Sequence, residues 1–308
     1  IAEKRLSTTK RRRMSGTFLS PWGSADNAQR GARSQTGASN CGETAVQTAL
    51  HGLAIDETPG GFVAVRARDH GPDLATYLRA RGVAGCTAVD LVEGARSLSD
   101  QRANARFFPC GPAPPEGLAV MLAEWNRLGC ACVVTENTQL DGADYWHHQA
   151  VLGVFVESST ILLGNPVEAV PEAQVARLLG STSVLQVMAS DVLARCPPRT
   201  PADWAALRED PEWAKMDVAG QVERLMKKAE KGGSRGGGGG GEVVTIPASY
   251  VPGVTVICAA RSEAEAKLLA APEPWAHPSW SPAARSTERS APHQGLRPLG
   301  GGGSGGGG

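Results

Sequence analysis

The sequence predicts an α+β fold in which a helical part precedes and packs on an antiparallel sheet. Apolar residues recur with helical spacing in the first part of the chain, up to residue 128. From residue 130 onward, short runs rich in strand-forming residues take over, and two of them are joined by a tight polar link. Helices first and strands second is an α+β order, because a parallel α/β fold would alternate the two.

Each element of this order has its own pattern. Apolar residues at helical spacing predict helices over residues 42–53, 73–81 and 115–128, and the last two are followed by glycine. The later segments end at polar, proline or glycine positions. Two of them are predicted as helices, over 175–179 and 262–271. The others are predicted as strands, over 130–136, 149–156, 159–163, 183–187, 243–246 and 254–259. The strands 149–156 and 159–163 are expected to form a hairpin.

Composition limits the classes of protein to consider. The chain has 308 residues, with 31 basic and 31 acidic side chains and 41% apolar residues. At about 150 residues per domain, this length suggests roughly two domains, or one with tails. The zero net charge argues against nucleic-acid binding through bulk charge. No apolar run approaches the roughly 18 residues of a membrane span, so no membrane-spanning helix is expected.

The N-terminal residues 1–34 carry eight basic and two acidic side chains, and residues 10–13 read Lys-Arg-Arg-Arg. We expect a basic disordered tail. A patch for an acidic partner and a remnant of an organelle-targeting segment remain as alternatives.

The rest of the chain divides by composition. The main domain is expected at 35–195, followed by a helical extension at 196–231 and a Gly-rich linker at 232–241. Residues 242–271 are expected to add strands and a helix to the main domain, because about 30 residues rarely fold alone. Residues 272–308, rich in Pro, Ser and Gly, are expected to be disordered.

Cysteine usage indicates a reducing compartment. The chain has seven cysteines, an odd number, without a Cys-x-x-Cys motif or an Asn-x-Ser/Thr sequon. This argues against a secreted disulfide scaffold. We therefore expect an intracellular protein, cytoplasmic in the first place, with an organelle as the alternative.

The first candidate catalytic residue is Cys41, which stands where a helix is predicted to begin. Free N–H groups at a helix N-terminus stabilise a thiolate and lower a cysteine pKa. Gln35 precedes this cysteine by six residues, and its amide can donate to a developing oxyanion together with the Cys41 N–H. The combination points to a nucleophilic thiol.

Two further segments supply partners for such a thiol. His148 begins a predicted buried strand, where a rigid scaffold can hold it against a helix N-terminus as a general base. Asn165, before Pro166, ends the next antiparallel strand, which returns beside the histidine. A carboxamide there can hold the imidazole in the required tautomer.

This ordered set resembles the papain-like cysteine peptidases, in particular the bacteriocin-processing (double-glycine) peptidase family and its eukaryotic relatives. The resemblance rests on a Gln separated by five intervening residues from Cys41-Gly42, a His separated by four intervening residues from Gly153, and a strand ending in Asn165-Pro166. Residues 129–135 are also similar to the strand that precedes the histidine in that family. The resemblance covers about half of the chain.

The resemblance implies a papain-like fold and assigns the roles. Gln35 would be the oxyanion donor, Cys41 the nucleophile, His148 the general base and Asn165 the orienting residue. At the position of Asn165, the bacterial family usually has Asp and papain has Asn. A neutral Asn does not stabilise an imidazolium as the charge of an Asp would. The family spacing selects His148 over His147, which is then expected to face solvent or the far side of the strand, since neighbouring strand residues point to opposite faces.

We expect from this a cysteine peptidase acting on a peptide or isopeptide bond, without metal or organic cofactor. An acyltransferase or transpeptidase can use the same residues, because an amine can intercept the acyl-enzyme. The alternative is a weak or inactive papain-like module that serves a larger protein assembly through its tails. Zinc at Cys130 and Cys132 is disfavoured by their spacing, and core packing is expected instead. The expected partner is a peptide or protein substrate.

Overall fold

A computed structural model describes residues 16–36, 40–58, 73–83, 85–110, 116–141, 146–196, 205–231 and 242–272. The helices are α1 Ala25–Gly31, α2 Cys41–Gly52, α3 Leu74–Val83, α4 Ala88–Leu98, α5 Leu118–Arg127, α6 Glu172–Leu179, α7 Ala189–Arg195, α8 Ala205–Glu209, α9 Pro211–Lys215, α10 Val218–Glu230 and α11 Glu263–Ala270. The strands are β1 Phe18–Leu19, β2 Ala103–Pro109, β3 Ala131–Asn137, β4 Trp146–Phe155, β5 Thr160–Gly164, β6 Glu168–Pro171, β7 Val184–Met188, β8 Val243–Pro247 and β9 Gly253–Ala259.

The main sheet is antiparallel and has seven strands, in the order β2-β9-β3-β4-β5-β6 with β1 beside β4. The predicted hairpin is confirmed, since β4 and β5 pair antiparallel. Together with the helices, this sheet confirms the α+β class.

Helices cover both faces of this sheet. Successive side chains of a strand point to opposite faces, so the strands contribute apolar side chains to a core on each side. Ala131 and Val133 of β3 belong to the core beneath α2 and α4. Cys132 and Val134 belong to the core on the other face, with α5 and α6. Cys130 is also wholly buried in that second core, so the expectation of core packing for Cys130 and Cys132 is confirmed.

A third apolar cluster lies beyond the main sheet. The strands β7 and β8 pair there as a two-stranded sheet, and α3, α7, α9 and α10 pack around it. Trp146, at the start of β4, stacks on Tyr250 at a ring distance of 5.4 Å, and both belong to this cluster. The cluster therefore adjoins the end of the sheet at which β4 begins.

Two expectations need correction, and two elements of the structure were not predicted. Part of the predicted tail 1–34 is ordered, since β1 pairs with β4 and α1 packs beside α2. Residues 242–271 divide between two sheets, because β9 lies between β2 and β3 while β8 joins β7. The helix α4 and the strand β2 had no prediction, although Thr87 and Asp90 form a capping box that marks the start of α4.

Two predicted segments cannot be compared with the structure. The linker 232–241 lies outside the described residues, as do residues 273–308 of the C-terminal segment. In the described part of the chain, no helix combines the length and apolar character needed to cross a membrane.

Candidate active site

The first turn of α2 presents Cys41. Cys41 is the first residue of this helix, and the N–H groups of Gly42, of Cys41 itself and of His148 point at its sulfur. All seven cysteines lie in the described residues, and every one except Cys41 is buried. Cys41 is therefore the cysteine that a solvent-borne reagent reaches.

The ionisation of Cys41 differs from the sequence expectation. Burial raises the pKa of the thiol above its ordinary value, although the surrounding N–H groups act to lower it. Desolvation penalises the charged form, and here it outweighs the amides. The expected lowering of the Cys41 pKa is therefore wrong for the resting site, which holds a neutral thiol at neutral pH.

Gly42 allows this turn to approach the sheet. A Cβ atom at this position would lie 2.6 Å from the Sγ atom of Cys86 and 3.3 Å from Cδ2 of His148. Real Cβ contacts are longer than the first of these distances, so a larger residue would push the helix away. The glycine after the cysteine thus sets the position of Cys41 against β4.

His148 has its imidazole enclosed. The side chain is 1% exposed, Nδ1 lies 2.9 Å from Thr135 Oγ1, and Nε2 lies 3.0 Å from the carbonyl oxygen of Cys86. Because a carbonyl only accepts, Nε2 carries the proton and Nδ1 accepts from the threonine. Burial lowers the pKa of His148 to about 4. Both ring nitrogens thus have a hydrogen-bond partner.

His147 has different surroundings. It is half-buried, and its Nε2 lies 2.6 Å from the carbonyl oxygen of Asn165. Nε2 therefore carries the proton, and Nδ1 is the basic nitrogen of this ring. Burial lowers the pKa of His147, whereas the bond to Asn165 and the charge of Glu168 raise it. His147 lies on the far side of β4 from α2, as expected, because it pairs with Glu136 whereas Thr135 and His148 face α2.

Asn165 joins two parts of the site. Its side chain accepts from the Gln35 N–H at 3.2 Å and donates from Nδ2 to Gln35 Oε1 at 2.9 Å. Its backbone has a φ of 67°, a left-handed conformation that asparagine adopts more readily than most residues. The assignment of Asn165 as the residue that orients His148 needs correction: its carbonyl oxygen holds His147, and its amide holds Gln35.

The structure thus brings Cys41, Gln35 and Asn165 to one end of the sheet, beside the pair of histidines. The His148 N–H points at the Cys41 sulfur. The ring of the neighbouring His147 is hydrogen-bonded to the Asn165 carbonyl, and the Asn165 side chain is hydrogen-bonded to Gln35. Among the described residues, no group of three or more His, Cys, Asp or Glu side chains could hold a metal ion.

Sequence reasoning missed the polar residues that enclose His148. Thr135 faces it across the β3–β4 pairing, and Tyr250 lies with its ring 6.4 Å away. Nothing in the sequence pairs residues so far apart, although an adjacent His-His pair on a strand signals that one imidazole faces the core. Comparison of the sequence with models of protein families and with curated proteins finds no match.

Proposed function

We propose that this chain is a papain-like cysteine hydrolase of peptide or isopeptide bonds, with Cys41 as the nucleophile and His148 as the general base. One observation carries the proposal. His148 faces α2 from β4, so that a Cβ atom on Gly42, the residue after Cys41, would lie 3.3 Å from Cδ2 of the imidazole. A thiol at a helix N-terminus beside an imidazole is the arrangement that thiol hydrolases use.

The choice of His148 over His147 follows from the two faces of β4. Thr135 and His148 continue the face of the sheet that packs beneath α2, whereas His147 pairs with Glu136 on the opposite face. A general base needs a ring nitrogen that can take and return a proton. The Thr135 hydroxyl can donate to Nδ1 of His148 or accept from it, so this hydrogen bond persists when that nitrogen is protonated.

The reaction starts from neutral partners, because burial opposes charge on both Cys41 and His148. The sulfur attacks the substrate carbonyl as its proton moves to the imidazole of His148. The imidazolium then returns that proton to the departing amine, which leaves an acyl-enzyme on Cys41. Water, deprotonated by the same imidazole, releases the acid and regenerates the thiol.

The oxyanion of this reaction needs donors beside the sulfur. The Cys41 N–H is one. Gln35 supplies the other, because its Oε1 is held by Asn165 Nδ2 and this bond fixes the orientation of the amide that carries the Nε2 donor. His147, whose Nε2 lies 2.6 Å from the carbonyl oxygen of Asn165, has the supporting role of holding that residue beside Gln35.

The test uses an activated acyl donor, since the natural substrate is unidentified. The full chain is incubated with p-nitrophenyl acetate, and its intact mass and tryptic peptides are followed with time. We expect one acetyl group on Cys41 and turnover that is lost in Cys41→Ala. The six buried cysteines serve as internal controls. Equal ester turnover in wild type and Cys41→Ala would refute the proposal and leave the inactive interaction module as the better account.

A further inference from the structure

Tyr250 packs against the imidazole of the proposed base. It belongs to the connection between β8 and β9 and is 7% exposed. Its ring centre lies 6.4 Å from that of His148, with the two planes inclined by 52°, and 5.4 Å from that of Trp146. Tilted rings at centroid distances of about 4.5–7 Å attract each other. Tyr250 therefore covers one side of the imidazole and keeps water away from it.

The hydroxyl of Tyr250 reaches the backbone that holds the same imidazole. Gly85 has a φ of 109°, and a Cβ atom on it would collide with the Tyr250 Oη atom. The glycine therefore allows the phenol to lie directly on this backbone. The next residue, Cys86, accepts a hydrogen bond from Nε2 of His148 through its carbonyl oxygen. Tyr250 thus contacts the imidazole with its ring and the peptide segment that binds the imidazole with its hydroxyl.

The proposed reaction needs an imidazole that keeps one orientation while it takes and returns a proton. Hydrogen bonds to Thr135 and to the Cys86 carbonyl hold the two ring nitrogens of His148. These bonds do not fix the tilt of the ring about the line through its nitrogens, whereas a packed face does. We propose that Tyr250 is a positioning residue for His148, with its ring fixing this tilt and its hydroxyl supporting the backbone at Gly85. This inference rests on the proposed function, because it assigns a role within the same site.

The environment of His148 gives the sign of a measurable effect. Among the described residues, the titratable groups that face it are Cys41 of α2, Cys86 before α4, Asp90 in the first turn of α4, and His147 beside it on β4. Burial outweighs the effects of these groups and lowers the pKa of His148 from 6.5 to about 4. Loss of the Tyr250 ring admits water to the imidazole, so the pKa of His148 should rise toward 6.5.

The test uses variants that separate the ring from the hydroxyl. Tyr250→Phe removes the hydroxyl and keeps the ring, whereas Tyr250→Leu removes both. Tyr77→Leu is the matched control, because Tyr77 is 4% exposed in the same apolar cluster as Tyr250 but has its hydroxyl 3.4 Å from Asp191 of α7. The histidine ring nitrogens are titrated by NMR in the ¹⁵N-labelled full chain, and the resonances of the proposed base are assigned with His148→Gln.

Acetyl transfer from p-nitrophenyl acetate to Cys41 is measured on the same variants, per folded molecule. Tyr250→Leu should lower this rate about 10- to 10²-fold, because a misplaced catalytic group costs up to about 10²-fold, and should raise the His148 titration. Tyr250→Phe should keep the titration and most of the rate. Tyr77→Leu should lose stability alone. A normal rate per folded molecule in Tyr250→Leu would overturn the inference, as would an equal loss of rate in Tyr77→Leu.

Two provisions keep the outcomes separate. If Tyr250→Leu does not fold, Tyr250→Met decides in its place, because a flexible apolar chain fills the space without presenting a rigid face. A normal rate in folded Tyr250→Met would then overturn the inference, and a loss that Tyr250→Phe does not share would support it. If wild type is not acetylated on Cys41, the proposed function fails, while the titration still reports whether Tyr250 shields His148.

Discussion

The Nε2 atom of His147 lies 2.6 Å from the backbone carbonyl oxygen of Asn165. The side chain of that asparagine is engaged elsewhere, in two hydrogen bonds to Gln35. One residue thus holds His147 through its backbone and the proposed oxyanion donor through its amide. The two contacts can therefore be separated by mutation.

The first prediction concerns Gln35 and Asn165 as a unit. Gln35→Ala should lower the rate of Cys41 acetylation about 10²-fold, since it removes one oxyanion donor. Asn165→Gly keeps the carbonyl and the left-handed backbone but releases Gln35, so it should lower the rate in the same way. The double variant should be little slower than Gln35→Ala alone. Additive losses would mean that the asparagine side chain acts independently of Gln35.

The second prediction concerns the glycine after the nucleophile. In a helix, Gly→Ala normally stabilises by about 1 kcal/mol. Gly42→Ala should instead destabilise by about 1–3 kcal/mol and impair acetylation, because the new Cβ meets Cys86 and α2 must shift. Urea denaturation of the variant and of the wild type measures whether the free energy of unfolding falls or rises. A more stable variant with normal acetylation would contradict the close approach of α2 to Cys86.

A third prediction compares two buried threonines of neighbouring strands. Thr135→Val deprives Nδ1 of His148 of its donor and should cost about 1–3 kcal/mol of unfolding free energy. Thr255 is 0% exposed, and its hydroxyl has no hydrogen-bond partner among the described residues. Thr255→Val should therefore be neutral or stabilising. Equal losses in the two variants would argue against a specific role of the threonine on His148.

A fourth prediction follows from the pKa of His148, which burial lowers from 6.5 to about 4. Below pH 6.5 the unfolded chain binds a proton that the folded site excludes, so stability falls as the pH decreases toward 4. This group contributes at most about 3 kcal/mol, fully present above pH 6.5 and lost by pH 4. His148→Gln should flatten this part of the curve in denaturation at several pH values. If the curves of stability against pH were parallel in His148→Gln and wild type, His148 would titrate with its ordinary pKa.

Local signals in the sequence account for much of the fold. The helix at Cys41, the helix that ends before Gly129 and the hairpin of β4 and β5 follow from periodicity and from glycine and polar breaks. The placement of β9 between β2 and β3 was not predictable, because it joins segments about 150 residues apart through pairing alone. The separation of β8 from β9 has the same cause.

The sequence predicted individual residues of the site but not the hydrogen bonds between them. Cys41, Gln35 and Asn165 were found because each follows a local pattern beside a predicted element. The role of the two histidines depends on Thr135 and on the carbonyl of Cys86, which only the fold brings to His148. The family spacing selected His148, whereas the hydrogen bond to Asn165 belongs to His147.

The most direct test of the account is the rate of Cys41 acetylation and deacylation with p-nitrophenyl acetate in His147→Gln and in His148→Gln, each checked for folding by circular dichroism. We expect His148→Gln to lose at least about 10²-fold in rate per folded molecule, the usual contribution of a general base. His147→Gln, on the opposite face of β4, should retain most of the rate per folded molecule. Full activity in His148→Gln, with the loss confined to His147→Gln, would contradict the assignment of the base.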